Sequence, residues 1–285
     1  MVARPGPGSI LSPTMAFEYR GAVAIVTGAS SGIGAAVARD LAASGTTVIA
    51  VARRREQLES VVADCRRGAS LSEAQVCDVG DKDAIEGLCA DVLVRHGKVD
   101  LLINNAGIPM RVHATRLTPE QVERTMRIDF LGAVWPTLAL LPSMLERRGG
   151  HIVNVSSVAG RLPSAREAAY TAAKHAMAGW SDVLAVDLHG TGVKVHLINP
   201  GPIRTEIWDK ITEPAAFKGK LHPPEKVARA IRASIDRGTH ERWFPRSMAW
   251  LPPFKMAMPK TFLRSFAAFD RRADRDTSGR TNGPD

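Results

Sequence analysis

The sequence has few of the features that mark several classes of protein. Its 285 residues include only three cysteines, Cys65, Cys77 and Cys89, which are odd in number and lack the spacing of metal ligands. There is no histidine cluster, so we expect no metal site. No segment has eighteen uninterrupted apolar residues, so we expect no membrane-spanning helix. These features favour a cytoplasmic protein with reduced cysteines.

The length suffices for one large α/β domain with a well-buried core. We expect this domain to span residues 19–245, followed by an apolar and basic C-terminal extension at 246–274 and a disordered tail at 275–285. Residues 1–18 are rich in proline, glycine and serine and are predicted to be disordered. One hypothesis is that translation starts at Met15, directly before the expected start of the fold.

The most informative pattern is Tyr170 and Lys174, with Ser157 thirteen residues upstream. On a helix, positions i and i+4 share a face, so the ammonium group can lie near the phenol. A phenol can move a proton, a cation can make it more acidic, and a hydroxyl can hold an oxygen atom. These are the groups that a carbonyl-reducing site needs, although Tyr-x-x-x-Lys alone arises by chance in many helices.

A glycine-rich turn follows the first apolar run, Ala22–Val26, in the stretch Thr27-Gly-Ala-Ser-Ser-Gly-Ile-Gly34. A strand, a glycine-rich turn and a helix in succession point backbone N–H groups at a phosphate. Gly28 permits the tight turn, Gly32 lets a pyrophosphate approach the backbone, and Gly34 allows the helix to pack closely. The pattern predicts nucleotide binding; the alternative is an ordinary glycine-rich turn.

Together these patterns resemble the short-chain dehydrogenase/reductase family over roughly residues 20–245. Three further stretches are similar to the family's motifs in order and spacing. They are Asn104-Asn105-Ala106-Gly107, the strand Ile152-Val-Asn-Val-Ser-Ser157, and Asn199-Pro-Gly-Pro-Ile-Arg-Thr205. The resemblance implies a single Rossmann-fold domain with a mobile helical substrate lid from Ile203 to about Leu221.

The alternation of apolar runs and helical stretches predicts the same architecture, an α/β fold with a doubly wound parallel sheet. Ligands should then bind at the carboxyl ends of the strands, where the motifs cluster. The resemblance further implies a homodimer or homotetramer that pairs through long helices, at about 118–148 and 168–190.

The activity implied by the resemblance is hydride transfer between a nicotinamide cofactor and a carbonyl or secondary alcohol. Ser157 would hold the substrate oxygen, Tyr170 would exchange the proton, and Lys174 would bind the nicotinamide ribose and keep the pKa of the phenol low. The expected cofactor-binding residues are Gly28, Ser30, Ser31, Gly32, Ile33, Gly34, Arg53, Arg54, Asp78, Val79, Asn105, Ala106, Gly107, Tyr170, Lys174, Pro200, Gly201, Ile203 and Thr205.

One candidate catalytic position departs from the family. Asp129 stands where the family usually has an asparagine, in an Asn-x-x-Gly pattern, which helps to hold a water that links the lysine to solvent. If the backbone carbonyl does that work, the change is harmless. A carboxylate near Lys174 would instead stabilise the ammonium and alter the acidity of the phenol, so we expect an active enzyme with a shifted pH profile.

The end of the second predicted strand indicates the cofactor. An NAD enzyme needs an acidic residue there, whereas this chain has Ala52-Arg-Arg-Arg55. Guanidinium groups favour the 2′-phosphate of NADP(H), with Arg53 as the first candidate and Arg54 as the second. The alternative is a solvated basic start of a helix. Asp78 resembles the family's adenine contact, or is a simple turn aspartate.

The net charge of +9 gathers partly in the C-terminal segment Arg242–Arg272, where aromatic residues alternate with cations. Such a segment is typical of peripheral contact with anionic lipid. We give more weight to the alternative that it packs across a partner subunit or over its own substrate cleft. Either interpretation favours a hydrophobic substrate, such as an acyl chain, a steroid or a terpenoid. No nucleic-acid partner is expected, because no recognised motif accompanies the charge.

Two other functions compete with this prediction. The first is a non-catalytic NADPH-binding sensor or scaffold of the same fold, against which the retention of Ser157, Tyr170 and Lys174 argues. The second is an epimerase or dehydratase of a related branch. The glycine spacing and the short C-terminal region argue against it.

Overall fold

The computed structural model describes residues 16–206 and 219–278. Seven parallel strands form one sheet in the order β3-β2-β1-β4-β5-β6-β7. The strands are β1 Val23–Thr27, β2 Thr47–Ala52, β3 Glu73–Val76, β4 Leu101–Asn104, β5 Gly150–Val155, β6 Val193–Pro200 and β7 Glu241–Phe244. The helices are α1 Gly32–Ala42, α2 Arg55–Cys65, α3 Lys82–His96, α4 Pro119–Met126, α5 Gly132–Glu146, α6 Ala168–Asp187, α7 Pro224–Arg237, α8 Leu251–Ala257 and α9 Pro259–Ser278.

The central strands are apolar along their whole length because helices cover both faces of the sheet. Every residue of β1 and of β4 is buried. Side chains of α1, α2 and α7 form the core on one face, and those of α3, α5 and α6 form the core on the other. The predicted doubly wound Rossmann-type fold is therefore confirmed.

The strand order reverses between β1 and β4, which lie side by side with Ile25 opposite Leu102. In open α/β sheets, ligands bind at the carboxyl ends of the strands where the order reverses. The glycine-rich turn leaves the carboxyl end of β1 at this crevice. The topology thus places the sequence motifs along one edge of the sheet.

The long helical region predicted over 118–148 is one helical stretch, Pro119–Glu146, within which the α-helix is interrupted once. A π-helical turn, Arg127–Leu131, separates α4 from α5. At the start of α5, Gly132 packs so closely on Val79 that a β-carbon would lie 2.9 Å from a Val79 methyl group. The π-helical turn contains Asp129, which is fully buried.

Some boundaries differ from expectation. Strand β7 lies at the edge of the sheet, and its four residues are only half-buried. Because it has no apolar run, the sequence pattern did not predict it. Helix α9 continues to Ser278, so residues 275–278 of the expected tail are helical. Residues 1–15, 279–285 and 207–218, which include most of the expected lid, lie outside the described residues.

One helical stretch, Pro119–Glu146, is long and apolar enough to cross a membrane by length and composition. A helix that covers a buried sheet passes the same test. Leu140 and Met144 of this stretch are 1 % exposed and belong to the core beside α3 and α6. We therefore interpret it as a core helix.

Truncation of the buried Leu102 should test the central packing. We expect Leu102→Ala to lower the free energy of unfolding by about 2–5 kcal/mol, because the side chain is fully buried on β4. The matched control is Val94→Ala on α3, where the side chain is 85 % exposed and the change should stay within about 0.5 kcal/mol. Urea unfolding measures both, and equal losses would contradict this account of the core.

Candidate active site

The glycine-rich turn after β1 forms a cradle for an extended anionic ligand. Gly28 has φ 66° and Gly32 has φ 57°, in the left-handed region that favours glycine. A β-carbon at Gly34 would overlap the carbonyl oxygen of Gly28, and one at Gly28 would lie 2.8 Å from the Cα of Ala106. Because α1 begins at Gly32, its free N–H groups and the glycine backbone can approach a pyrophosphate.

Thr27 holds this turn against the end of β4. Its hydroxyl oxygen accepts hydrogen bonds from the backbone N–H groups of Asn105, at 3.0 Å, and Ala106, at 3.1 Å. The Asn105 amide donates to the carbonyl oxygen of Thr27, at 3.0 Å. We did not single out Thr27 from the sequence. The available signal was a hydroxyl at the end of a fully apolar strand, where burial requires partners.

Two adjoining cavities of about 150 Å³ each lie on either side of this contact. The first is lined by predicted residues from the glycine turn, the end of β4 and α6: Gly28, Ser31, Gly32, Ile33, Asn105, Ala106, Gly107, Tyr170, Lys174 and Thr205. The second adds Ser30, Arg53, Arg54, Asp78 and Val79. The structure therefore brings most of the predicted cofactor residues together.

Four predicted residues are not among those that line these cavities. Gly34 packs under the turn, and Pro200 ends β6. The N–H group of Gly201 donates to the carbonyl oxygen of Phe244, at 2.6 Å. Ile203 is 5 % exposed and bridges to His222.

Arg54 is the guanidinium in contact with the glycine turn. Its Nη2 donates to the hydroxyls of Ser30, at 3.1 Å, and Ser31, at 2.8 Å. Its Nη1 lies 2.6 Å from a carboxylate oxygen of Glu206, a residue that sequence analysis missed. Arg53 instead lies 3.5 Å from Asp78.

Asp78 also closes a turn, since its Oδ1 accepts the N–H group of Gly80 at 2.9 Å. The turn interpretation of this residue is therefore supported. Asp78 also lines the second cavity.

Ser157, Tyr170 and Lys174 meet beside the first cavity. Ser157 follows β5 and is hydrogen-bonded to Tyr170. The Nζ atom of Lys174 lies 5.6 Å from the centroid of the Tyr170 ring. Ser156 also lines the first cavity, but its hydroxyl donates to the carbonyl oxygen of Lys174 at 3.2 Å. The geometry favours Ser157 over Ser156, as the spacing to Tyr170 predicts.

Asp129 and Lys174 form a buried pair behind the phenol. The Nζ atom of Lys174 is 3.9 Å from Oδ2 of Asp129 and donates to the carbonyl oxygen of Val155, at 3.3 Å. Oδ1 of Asp129 accepts the N–H group of Ile108, at 2.8 Å. Oδ2 of Asp129 has no hydrogen-bond partner among the described residues. Asp129, which stands where the family usually has an asparagine, therefore lies next to Lys174.

Burial dominates the pKa values of these three groups. It raises the pKa of Asp129 to about 6, against the opposing charge of Lys174 and the N–H group of Ile108. Burial lowers the pKa of Lys174, and Asp129 opposes this shift. Burial also raises the pKa of Tyr170, and the charge of Asp129 raises it further. In the chain alone, the phenol is therefore protonated at neutral pH, and the expected lowering of its pKa, which concerns the site with its cofactor bound, stays a prediction.

A third cavity, of about 430 Å³, is mostly apolar and lies beside the turn that follows Ser157. Val158 and Ala159 of that turn form one wall, and Met248, Leu251 and Phe266 of the C-terminal segment are also among its lining residues. The Nζ atom of Lys255 donates to the carbonyl oxygen of Arg161, at 3.3 Å, and ties the segment to the same loop. The C-terminal segment thus packs over its own chain beside the candidate site.

Comparisons with known proteins agree with this geometry. A sequence model of the short chain dehydrogenase family matches residues 22–216. The dehydrogenase/reductase SDR family member 7B of Bos taurus is 36 % identical over 89 % of this chain and 82 % of its own length.

Solved structures of similar fold carry both nicotinamide cofactors. A metagenomic short-chain oxidoreductase in complex with NADP is 31 % identical, with a TM-score of 0.68 over 79 % of this chain and 96 % of its own. A Burkholderia phymatum short chain dehydrogenase/reductase in complex with NAD is 24 % identical, with a TM-score of 0.78 over 86 % and 96 %. The second likeness supports the fold alone.

The pKa of Asp129 predicts a pH-dependent stability. The folded chain holds this proton more tightly than the unfolded chain, so the contribution is present at low pH and is lost as pH rises from about 4 through about 6. Relative to Asp129→Asn, the wild-type free energy of unfolding should fall by up to about 3 kcal/mol over that window. Urea unfolding between pH 4 and 7 measures this difference. Asp91→Asn on α3, whose side chain is 56 % exposed, is the control that should show no such fall.

Proposed function

The chain belongs to the short-chain dehydrogenase family, and from this premise we propose that it is an NADP(H)-dependent oxidoreductase that interconverts a carbonyl and a secondary alcohol. The observation that carries the proposal is the contact of Tyr170 with both Ser157 and Lys174 beside a glycine-lined cavity. A sensor that only binds cofactor has no need for a protonated phenol and a hydroxyl at this point.

The proposed mechanism assigns the proton to the protein. A bound nicotinamide cofactor supplies or accepts the hydride. The hydroxyl of Ser157 holds the substrate oxygen, and Tyr170 donates its proton to that oxygen during reduction as a general acid. Tyr170 is protonated at neutral pH, as a proton donor must be, but burial raises its pKa and so makes it a weaker acid. In the oxidising direction, the phenol would first have to release its own proton before its oxygen could receive the proton of the alcohol.

Lys174 and Asp129 are the charged groups next to the Tyr170 phenol. We assign Lys174 to the hydroxyls of the nicotinamide ribose, because its ammonium group lines the cavity from a buried position. Asp129 opposes the burial-induced drop in the pKa of Lys174 and so keeps the ammonium charged. Asp129 acts through Lys174 and is a positioning residue in this proposal.

The preference for NADP(H) rests on the polar cluster at the second cavity. Arg54 and the hydroxyls of Ser30 and Ser31 converge there, next to Arg53. A 2′-phosphate could accept hydrogen bonds from all of these groups. The relative with NADP supports this assignment. Asp78 and Val79 would then face the adenosine, while Ile203 and Thr205 would hold the carboxamide end.

The proposed substrate is hydrophobic, such as an acyl chain, a steroid or a terpenoid ketone. The third cavity supports this class, since Val158, Leu162, Met248, Leu251 and Phe266 line it. Pockets of this size and apolarity typically bind small apolar molecules.

We further propose a homodimer or homotetramer. Four large apolar side chains are exposed on the helices that the family resemblance implicates: Leu138, Leu145, Val183 and Val186. Exposed apolar side chains that cluster on long helices are typical of subunit contacts.

A cytoplasmic location is also part of the proposal. Cys65, Cys77 and Cys89 are all buried and free. Unpaired cysteines are typical of reducing compartments.

Removal of the Tyr170 hydroxyl tests the chemistry. We expect Tyr170→Phe to slow NADPH oxidation by about 10²–10⁴-fold, because the proton donor is lost, while NADPH binding persists. The control is Tyr19→Phe, the only other tyrosine, whose hydroxyl binds Asp236 away from the site. The assay compares fatty-acyl, steroidal and small polar ketones. Full turnover by Tyr170→Phe refutes the mechanism, and tight NADPH binding by the wild type without any turnover favours the sensor.

Truncation of Arg54 tests the proposed preference for NADP(H) over NAD(H). We expect Arg54→Ala to weaken NADPH binding by about tenfold to hundredfold, the cost of losing a hydrogen-bonded charge partner, and to leave NADH binding within about threefold. Arg55→Ala removes the same charge from a neighbouring side chain that is 70 % exposed and paired with Glu59, and should change neither affinity. Fluorescence titration measures both dissociation constants. Equal losses for the two cofactors would contradict 2′-phosphate recognition.

A further inference from the structure

Within the C-terminal segment, the stretch Trp250–Arg264 has an outer surface that is apolar and exposed. Among the described residues, twelve large apolar side chains are exposed, and five of them lie on this short segment: Trp250, Phe254, Met256, Met258 and Leu263. Trp250 is 79 % exposed and Met256 is 83 % exposed. Such a concentration of exposed apolar side chains is typical of an interaction surface.

The segment divides its apolar residues between two faces. On α9, Phe262 is 2 % exposed and stacks on Phe266, with 4.7 Å between the ring centroids. Lys260 and Arg264, also four residues apart, are exposed on another side of the same helix, with Leu263 next to them. The inner face therefore secures the segment to the fold, and the outer face is a separate feature.

The charge around this outer surface has one sign. From Arg242 to Phe269 the sequence has five cations and no carboxylate, within a chain whose net charge is +9. Arg246, Lys260 and Arg264 are exposed. Aromatic and methionine side chains beside exposed cations fit the surface of an anionic bilayer. The apolar side chains would enter the acyl boundary, and the cations would contact the anionic headgroups.

We propose that the outer surface of Trp250–Arg264 docks the protein on anionic lipid bilayers. A second copy of the chain fits this surface less well. An isologous contact would place the same cations against each other with no carboxylate between them. The exposed apolar side chains of α5 and α6 offer a different surface for self-association.

Docking would place the apolar cavity near the bilayer. Met248 and Leu251, which line that cavity, lie on either side of Trp250 in the sequence, where the exposed outer surface begins. A hydrophobic carbonyl compound dissolved in the membrane would then enter a nearby site. This consequence rests on the proposed function, whereas the docking itself does not.

Vesicle sedimentation with the full chain tests the docking without any activity assay. The probes are phosphatidylcholine vesicles with and without about one-third phosphatidylserine. We expect binding to the anionic vesicles only, weaker at higher salt, and accompanied by a blue shift of tryptophan fluorescence. Lys260→Ala and Arg264→Ala should each lower the partition coefficient about fivefold, as expected for one cation near a charged surface. Trp250→Ala should lower the partition coefficient and abolish most of the shift.

The controls remove similar groups from other faces. Arg55→Ala and Arg67→Ala take exposed cations from α2 and the turn after it, and Val94→Ala takes an exposed apolar side chain from α3. All three should bind anionic vesicles like the wild type, and circular dichroism verifies that each variant is folded. The proposal is overturned by absence of binding, by equal binding to neutral vesicles, or by an equal loss in the controls. It is also overturned if Trp250→Ala instead dissociates an oligomer.

Discussion

The close approach between the turn after β1 and the end of β4 is the constraint on which the site depends. Gly28 can lie against Ala106 only because it has no β-carbon, and the hydroxyl of Thr27 fixes the distance through two backbone N–H groups. Both small cavities share Gly28 and Ala106 as walls. A side chain at Gly28 would therefore separate the two strand ends and deform both cavities. The sheet holds the two strand ends rigidly, and the absence of a β-carbon at Gly28 leaves space for Ala106 to approach.

Burial, with a smaller contribution from the charge of Asp129, raises the pKa of the Tyr170 phenol and keeps it protonated. An isolated ammonium or carboxylate in this interior would be costly, whereas Lys174 and Asp129 at 3.9 Å compensate each other. The pair is close to neutral in total, so Lys174 does little to lower the pKa of Tyr170, and burial dominates. The π-helical turn brings Asp129 to this place by turning a polar residue inward between α4 and α5. The π-helical turn thus places the carboxylate that raises the pKa of Tyr170.

Sequence reasoning predicted the sheet, its helices and the pairing of Tyr170 with Lys174, because strand periodicity, glycine spacing and the i,i+4 rule are local. The family resemblance added Ser157. It did not predict partners that are distant along the chain. Glu206 reaches Arg54 across 152 residues, and no local pattern marks that contact. The raised pKa of Tyr170 in the chain alone also escaped prediction, because spacing shows which charges are near but not how much water is excluded. The edge strand β7 lacks the apolar run that reveals a buried strand.

The C-terminal segment shows how composition can conceal two roles in one stretch of chain. Its mixture of aromatic residues and cations fits both packing over a cleft and contact with lipid. In the structure, one set of side chains lines the cavity and another set is exposed. Leu251 faces the cavity beside the turn after Ser157, while Trp250, its neighbour in sequence, is 79 % exposed. Helical rotation separates adjacent residues by about 100°, so one short segment can close a cavity and still present an apolar outer surface. Because the two faces use separate residues, the cavity and the outer surface can be altered independently.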